Sequence, residues 1–327
     1  MYGVYKAHIT IGNYTFKQVN DVNIVRSVDM LSDTATIKMP TTFLLKSSEN
    51  TITKKKIDEA IKVGDKVSIS VGYDGIIFKE EFTGYVKKIK PNTPMEIECE
   101  DAVYLIRKKT INKMFINAEL VDVLEHIVAG TGVELSDVIP SLKLERFLIA
   151  NINGAAALDK IKEEFGLAIY IDDDGKLFAG LKQQLNTVQK VVYHFQKNVI
   201  TASTNLEFVK EEDVKIKIKA IGIAADNTRT EIEVGDVDGE LRTLHFYHIS
   251  DKAKLKEIAE SKRKELTYTG YRGNLTSFLF PEADRGWAAE VADGNYPEKA
   301  GVYFIEKMEV NFNDAGGRRI LTLGSKL

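Results

Sequence analysis

The sequence predicts a mainly β protein with an α+β insert: two related antiparallel β-barrel domains, a small α/β domain between them, and one long helix in the C-terminal half. Three observations point there. Runs such as "VSISV" (67 to 71) and "MEIEC" (95 to 99) alternate apolar and polar residues with the period of a half-buried strand. Two stretches in the middle switch to the period of a helix. The layout of the strands before residue 100 is then echoed near the C terminus. With 327 residues, the chain can bury two or three cores. The divisions fall at 1–108 (first barrel), 109–185 (insert) and 186–327 (second barrel, carrying a helix at 251–266).

In the first part, Val67, Ile69 and Val71 share one strand face, as do Met95, Ile97 and Cys99. Gly12-Asn13, Asp74-Gly75 and Pro91-Asn92 are turn signals. Ser47 to Lys62, "SSENTITKKKIDEAIK", is polar and reads as a loop projecting from the sheet, with Lys54-Lys55-Lys56 as a solvated face. In "NAELVDVLEHIVAGTG", Asn117 is the expected N-cap, and Leu120, Leu124, Ile127 and Val128 line one helical face. Gly130 stands where a left-handed C-cap is wanted. "NGAAALDKIKEEFG" repeats the recipe, with Asn153 as cap, Leu158, Ile161 and Phe165 on one face, and Gly166 as stop. "LAIYID" and "KLFAGL" then form two short strands joined through Asp172-Asp173-Asp174-Gly175.

Strands return after residue 186. "VKIKIKA" sets Val214, Ile216, Ile218 and Ala220 on one side and Lys215, Lys217 and Lys219 on the other. After a turn in "GIAADN", "TEIEV" turns Glu231 and Glu233 outward. The lysine row is explained by cross-strand pairing with these glutamates, since a nucleic-acid stripe would not face its own carboxylates. The helix "SDKAKLKEIAESKRKEL" buries Leu255, Ile258 and Ala259 and offers Glu260 and Lys264 as an i,i+4 pair. "NLTSFLF", "GVYFIEKMEVNF" and "RRILTLG" close the chain as strands. The echo lies between residues 67–99 and 288–323: a strand, an Asp-Gly turn (Asp74-Gly75; Asp293-Gly294), a glycine (Gly84; Gly301) opening a long charged strand, a turn, and a final strand.

The chemistry-bearing motifs are few. An EF-hand loop with Gly175 at its sixth position would need ligands at Tyr170 and Leu181, so "DDDG" is read as a hairpin tip. The single cysteine, Cys99, excludes an intrachain disulfide framework and a cysteine zinc cluster, and reads as a small buried side chain. His245 and His248, three apart on a strand, point to opposite faces. His8, His126 and His194 stand alone. No Walker, Rossmann, nucleophile-elbow or zincin pattern occurs. The expected sites are therefore catalytic none, cofactor-binding none and metal none. A formal net charge of -3 offers no global field for nucleic acid or an anionic membrane. The N terminus lacks the layout of a secretory signal, and no apolar run reaches membrane-spanning length. The expectation is a protein made in the cytosol, or exported only within something assembled there.

The order of parts resembles the baseplate hub proteins of contractile phage tails, the late control gene D family, and is similar to the hub half of the type VI secretion spike protein VgrG. That family's insert reads helix, small-residue Gly-Leu, strand, Asp-Asp-Gly hairpin, matched here by "GAAALDKIKEEFGLAIYIDDDGKLFAG". Its closing strand is matched by Gly301, Tyr303, Ile305 and Phe312. "PEADRGWAAEV", with Trp287, stands where the family has a Pro-Gly-Asp turn. The resemblance implies a non-enzymatic hub in the virion tail baseplate. Two barrels per chain in a homotrimer would set six alike units around a channel, matching a six-fold tail tube to a three-fold spike. Edge strands would pair or pack across subunits. Implied partners are the tube, spike, and tape-measure or baseplate wedge proteins, with DNA only in non-specific passage and no membrane insertion. The spike would be a separate polypeptide. A tail-associated carbohydrate-binding protein and a cell-wall-degrading enzyme are the alternatives.

Overall fold

The alternating strands of both halves meet in one sheet. The structure, a computed structural model, describes residues 4–46, 52–74, 77–180, 189–223, 228–247 and 251–327. The first part holds β1 (Tyr5–Ile11), β2 (Tyr14–Phe16), β3 (Asp21–Ser27), β4 (Thr34–Met39), β5 (Thr42–Lys46), β6 (Ile52–Lys56), α1 (Ile57–Ala60), β7 (Lys66–Tyr73), β8 (Ile77–Lys90) and β9 (Met95–Glu100). The middle holds α2 (Val103–Arg107), β10 (Thr110–Glu119), α3 (Leu120–Val128), β11 (Lys143–Asn153), α4 (Gly154–Phe165), β12 (Ala168–Ile171) and β13 (Leu177–Gly180). The last part holds β14 (Lys190–His194), β15 (Asn205–Val209), β16 (Ile216–Ile223), β17 (Arg229–Gly235), β18 (Glu240–Tyr247), α5 (Lys252–Leu266), β19 (Gly270–Ser277), β20 (Ala288–Ala292), β21 (Gly301–Asn313) and β22 (Gly316–Lys326).

Thirteen strands join in the order β15-β19-β22-β21-β3-β4-β9-β8-β7-β1-β2, with β20 and β14 attached along β21. The echo is visible in this order. The series β1-β7-β8-β9-β4-β3 has its counterpart in β14-β20-β21-β22-β19-β15, and both series use their strands in the same chain sequence. The exception is β14, parallel to β20 where β1 is antiparallel to β7. The expected pair of separate barrels is not what the strand pairing makes. No closed barrel forms among the described residues, because β3 runs antiparallel along β21, from Asp21 beside Asn313 to Ser27 beside Lys307, instead of closing its own unit.

The interior follows the alternation. Ile24, Ile37, Ile69, Phe82 and Ile97 from the first part share one buried core with Tyr193, Leu275, Ile305, Val310 and Leu321 from the last. A second core gathers Phe147, Leu158, Ile161 and Ile169 of the insert. A third is local: Ile218, Ala220, Leu255 and Ala259 between α5 and the sheet β17-β16-β18. The lysine row pairs across the strands as expected, Lys217 with Glu233 at 2.6 Å and Lys219 with Glu231 at 2.7 Å.

Several local expectations are corrected. Asn117 does not cap α3; β10 runs on to Glu119, and the Asp122 carboxylate accepts the Glu119 N–H at 3.2 Å. Asn117 instead takes a positive φ of 49° inside the strand, a conformation Asn tolerates. The lysine-rich stretch is no loop: β5 and β6 pair as a hairpin that leads into α1, with residues 47–51 outside the described ones. Gly84 lies in the middle of β8 and does not open it. Glu260 pairs one turn back, with Lys256 at 3.8 Å, not with Lys264. Gly75, the turn at 224–227 and His248 lie outside the described residues.

Candidate functional site

The Asp-Gly hairpin is a tight tip whose second aspartate, itself largely exposed, lies against β3. Asp172 closes the turn: its side chain accepts the N–H of Asp174 at 3.0 Å and of Lys176 at 2.9 Å, while Gly175 takes a φ of 76°. Asp173 then faces Arg26 of β3 at 3.1 Å. Arg26 lies in phase with Val22 and Ile24, so the strand carries its guanidinium inward. There it also pairs with Asp284 and donates to the Glu81 carbonyl at 2.8 Å.

A second guanidinium completes the group. Arg285 donates to both carboxylate oxygens of Asp33, at 2.6 and 2.7 Å, and to the Ile171 carbonyl at 2.6 Å. Its plane covers the Tyr170 ring, 4.2 Å from the centroid. Asp101 receives the N–H of Asp33 at 2.7 Å and of Val103 at 2.9 Å. Nearby, fully buried Arg319 meets Glu81 at 2.6 Å and the Ala283 carbonyl at 3.0 Å. A cleft of about 530 Å³ opens beside the cluster, with Arg26, Asp33, Asp101, Asp173, Lys66 and Tyr85 among its walls.

Two guanidiniums thus face four carboxylates, and the titration directions reflect the imbalance. Burial, with Asp33 next, holds the Asp101 carboxyl well above its usual range. Burial likewise raises Asp33 against the pull of Arg285 and Arg26, and raises Asp173 together with Asp284. For Asp284 burial pushes upward too, yet Arg26 and Arg285 outweigh it and hold the group low. Each of these carboxylates is bonded to a guanidinium or to backbone N–H. What the arrangement does is join: Arg26, Asp33, Glu81 and Asp101 come from the first part, Ile171 and Asp173 from the insert, and Asp284, Arg285 and Arg319 from the last.

Apart from Asp173 and Tyr170, weighed only as parts of a calcium loop, none of these residues was a sequence candidate, although "PEADRGW", the segment that departs from the hub pattern, supplies Asp284 and Arg285. In-phase charge was the available signal: Arg319 shares a face with Leu321 and Leu323. Of the residues that were considered, Cys99 is buried against the core, its thiol pushed up to about 12 by desolvation. His8 and His245 are exposed. His126 is held below its usual value by burial and by Lys113 and Lys109. Among the described residues no three His, Cys, Asp or Glu side chains gather as a metal site, and no helix is long and apolar enough to cross a membrane.

No family model and no curated protein matches the chain. Solved structures do. The prophage MuSo2 43 kDa tail protein from Shewanella oneidensis superposes with a TM-score of 0.68 at 16% identity, over 98% of this chain and 97% of that one. A tail protein from Neisseria meningitidis MC58 gives 0.64 at 14% identity, over 99% and 97%. The E. coli c3393 protein, a type VI secretion component with structural similarity to the T4 bacteriophage tail proteins gp27 and gp5, gives 0.60 at 9% identity, over 97% and 76%. At these identities the likeness is one of fold: the chain is built on the mainly antiparallel β fold of phage tail proteins.

Proposed function

We propose that the chain is the structural hub of the baseplate in a phage tail or related contractile injection particle. Three copies form a ring that adapts a six-fold tail tube to a three-fold spike. The observation that carries this is the strand series occurring twice in one order, the two series lying side by side through β3 and β21. Two alike units per chain, in three copies, offer six similar surfaces to one neighbour and true three-fold symmetry to the other. The fold shared with tail proteins over nearly the whole chain supports the same reading.

In this reading the chain divides at 1–108, 109–185 and 186–327, with β16 to β18 and α5 as an insertion in the last part. The two series are barrel-like units opened toward each other. The protein is not an enzyme, and its place is the virion tail baseplate. The buried Arg26–Asp33–Asp284–Arg285 group acts as a rivet that keeps the three parts in fixed register while neighbours load the ring. Tube and spike proteins are the direct partners, with tape-measure or wedge proteins beyond them. DNA passes through the lumen, where a net charge of -3 per chain gives phosphates little to hold. Co-expression with the tube and spike proteins of the parent particle tests this. The hub should co-purify with the spike at three copies of each. A chain that stays monomeric and binds neither protein overturns the reading.

A further inference from the structure

The two series differ in what lies along their long central strand. On one edge of β21, residues 301–304 pair with β20 and residues 307–313 pair with β3. The matching edge of β8 carries β7 along residues 77–85. Val86 then bonds the backbone of Gly64 and Asp65, and no strand lies beyond it against Lys87 to Lys90 among the described residues. The counterpart of β3 is β15, which pairs with β19 on one edge and with no described strand on the other. Each chain thus contains one completed joint and the two separated halves of a second.

We propose that the outer edge of β15 in one copy adds antiparallel to residues 87–90 of β8 in the next copy, repeating between chains the joint that β3 and β21 make within one. The inference rests on the ring reading and names the contact that would close it. Three features fit the two edges together. Direction agrees, because β15 runs relative to β19 and β22 as β3 runs relative to β4 and β9. Sidedness agrees: Leu206 and Phe208 of β15 and Ile89 of β8 pack against the large core, while Asn205, Glu207 and Lys88 are exposed on the other face. Alignment on the completed joint therefore continues the core across the subunit boundary, with Phe208 opposite Ile89, and sets Glu207 opposite Lys90 and Val209 opposite Lys88. Glu207 forms no ion pair among the described residues, and Lys90 already holds Glu96 and Glu98 on its own sheet. An unpaired strand edge is also a ready template for main-chain pairing with another chain.

The test uses the full chain with Val209→Cys and Lys88→Cys together, the pair that stands where Ser27 and Lys307 face each other in the completed joint, leaving Cys99 in its buried place. Mild oxidation should produce a three-chain band on a non-reducing gel. Either single variant should give none, and a mixture of the two singles should stop at two chains. In the second arm, Glu207→Lys, set against Lys90, should weaken trimer association by roughly tenfold, and Glu207→Gln should weaken it less. A trimer by light scattering that neither cross-links nor responds to the charge reversal overturns this contact and leaves the ring intact. A wild-type chain that is monomeric at all concentrations overturns contact and ring together.

Discussion

Arg285 is 3% exposed at its side chain and holds Asp33 by two hydrogen bonds, so removing it leaves a buried carboxylate without its main partner. Arg285→Ala should cost about 3–5 kcal/mol in urea denaturation, whereas replacing Arg285 and Asp33 together by leucine should cost clearly less. Equal losses would mean that packing and not the ion pair matters here. The raised carboxyl of Asp101 gives a pH signature. A folded-state value above the unfolded one contributes stability below the unfolded pKa, and that contribution is lost as pH rises through the folded pKa. Asp33 and Asp173 act in the same direction, while Asp284, held low, loses its contribution only in acid. The thermal midpoint should therefore fall as pH rises above the usual carboxylate range, and Asp101→Asn should flatten that slope. A slope of the opposite sign would contradict the assignment. This site was poorly legible in the sequence. Arg26 and Arg319 could be read as inward from their strand phase, but their acidic partners lie on turns or, for Glu81, at a bulge inside β8, where the period is broken.

At the level of elements, glycine geometry and local cores make separate predictions. A methyl group on Gly84 would run into the Glu100 carbonyl of the neighbouring strand. Gly84→Ala should therefore destabilise by about 1–3 kcal/mol through a forced shift of β8 against β9, read as a lower urea midpoint. No change would mean that the strands part freely. Leu255→Ala should open only the small core under α5, costing about 2–4 kcal/mol. Hydrogen exchange should speed up in β16 to β18 and α5 while β21 stays protected; loss of protection in both would mean that the two cores unfold as one. Helices α3, α4 and α5, the Asn153 cap and the "DDDG" tip were readable because each obeys a local rule, whereas the short α1 and α2 were not. Strands β10 and β11 were not, since "TINKMFINAE" lacks a clean alternation and its pairing with residues 143–153 is a long-range choice. The hairpin of β5 and β6 was hidden for the same reason, under a polar composition that suits a loop.

For the whole molecule, the echo read from turn and strand spacing corresponds to a real repetition of strand order, whereas the manner of joining was invisible. Nothing in "DVNIVRS" distinguishes an edge that closes a barrel from one that pairs with residues 307–313 at the far end of the chain. Edges are chosen by tertiary competition, and the alternation that marks a strand is the same for either partner. If three chains repeat that choice between neighbours, the assembly is a ring of six sheet units in which two kinds alternate. Electron microscopy of the purified protein, viewed down the ring axis, measures this directly. A three-copy hub gives a closed ring of six lobes with three-fold symmetry. Isolated single chains, two-fold dimers or open filaments would contradict it.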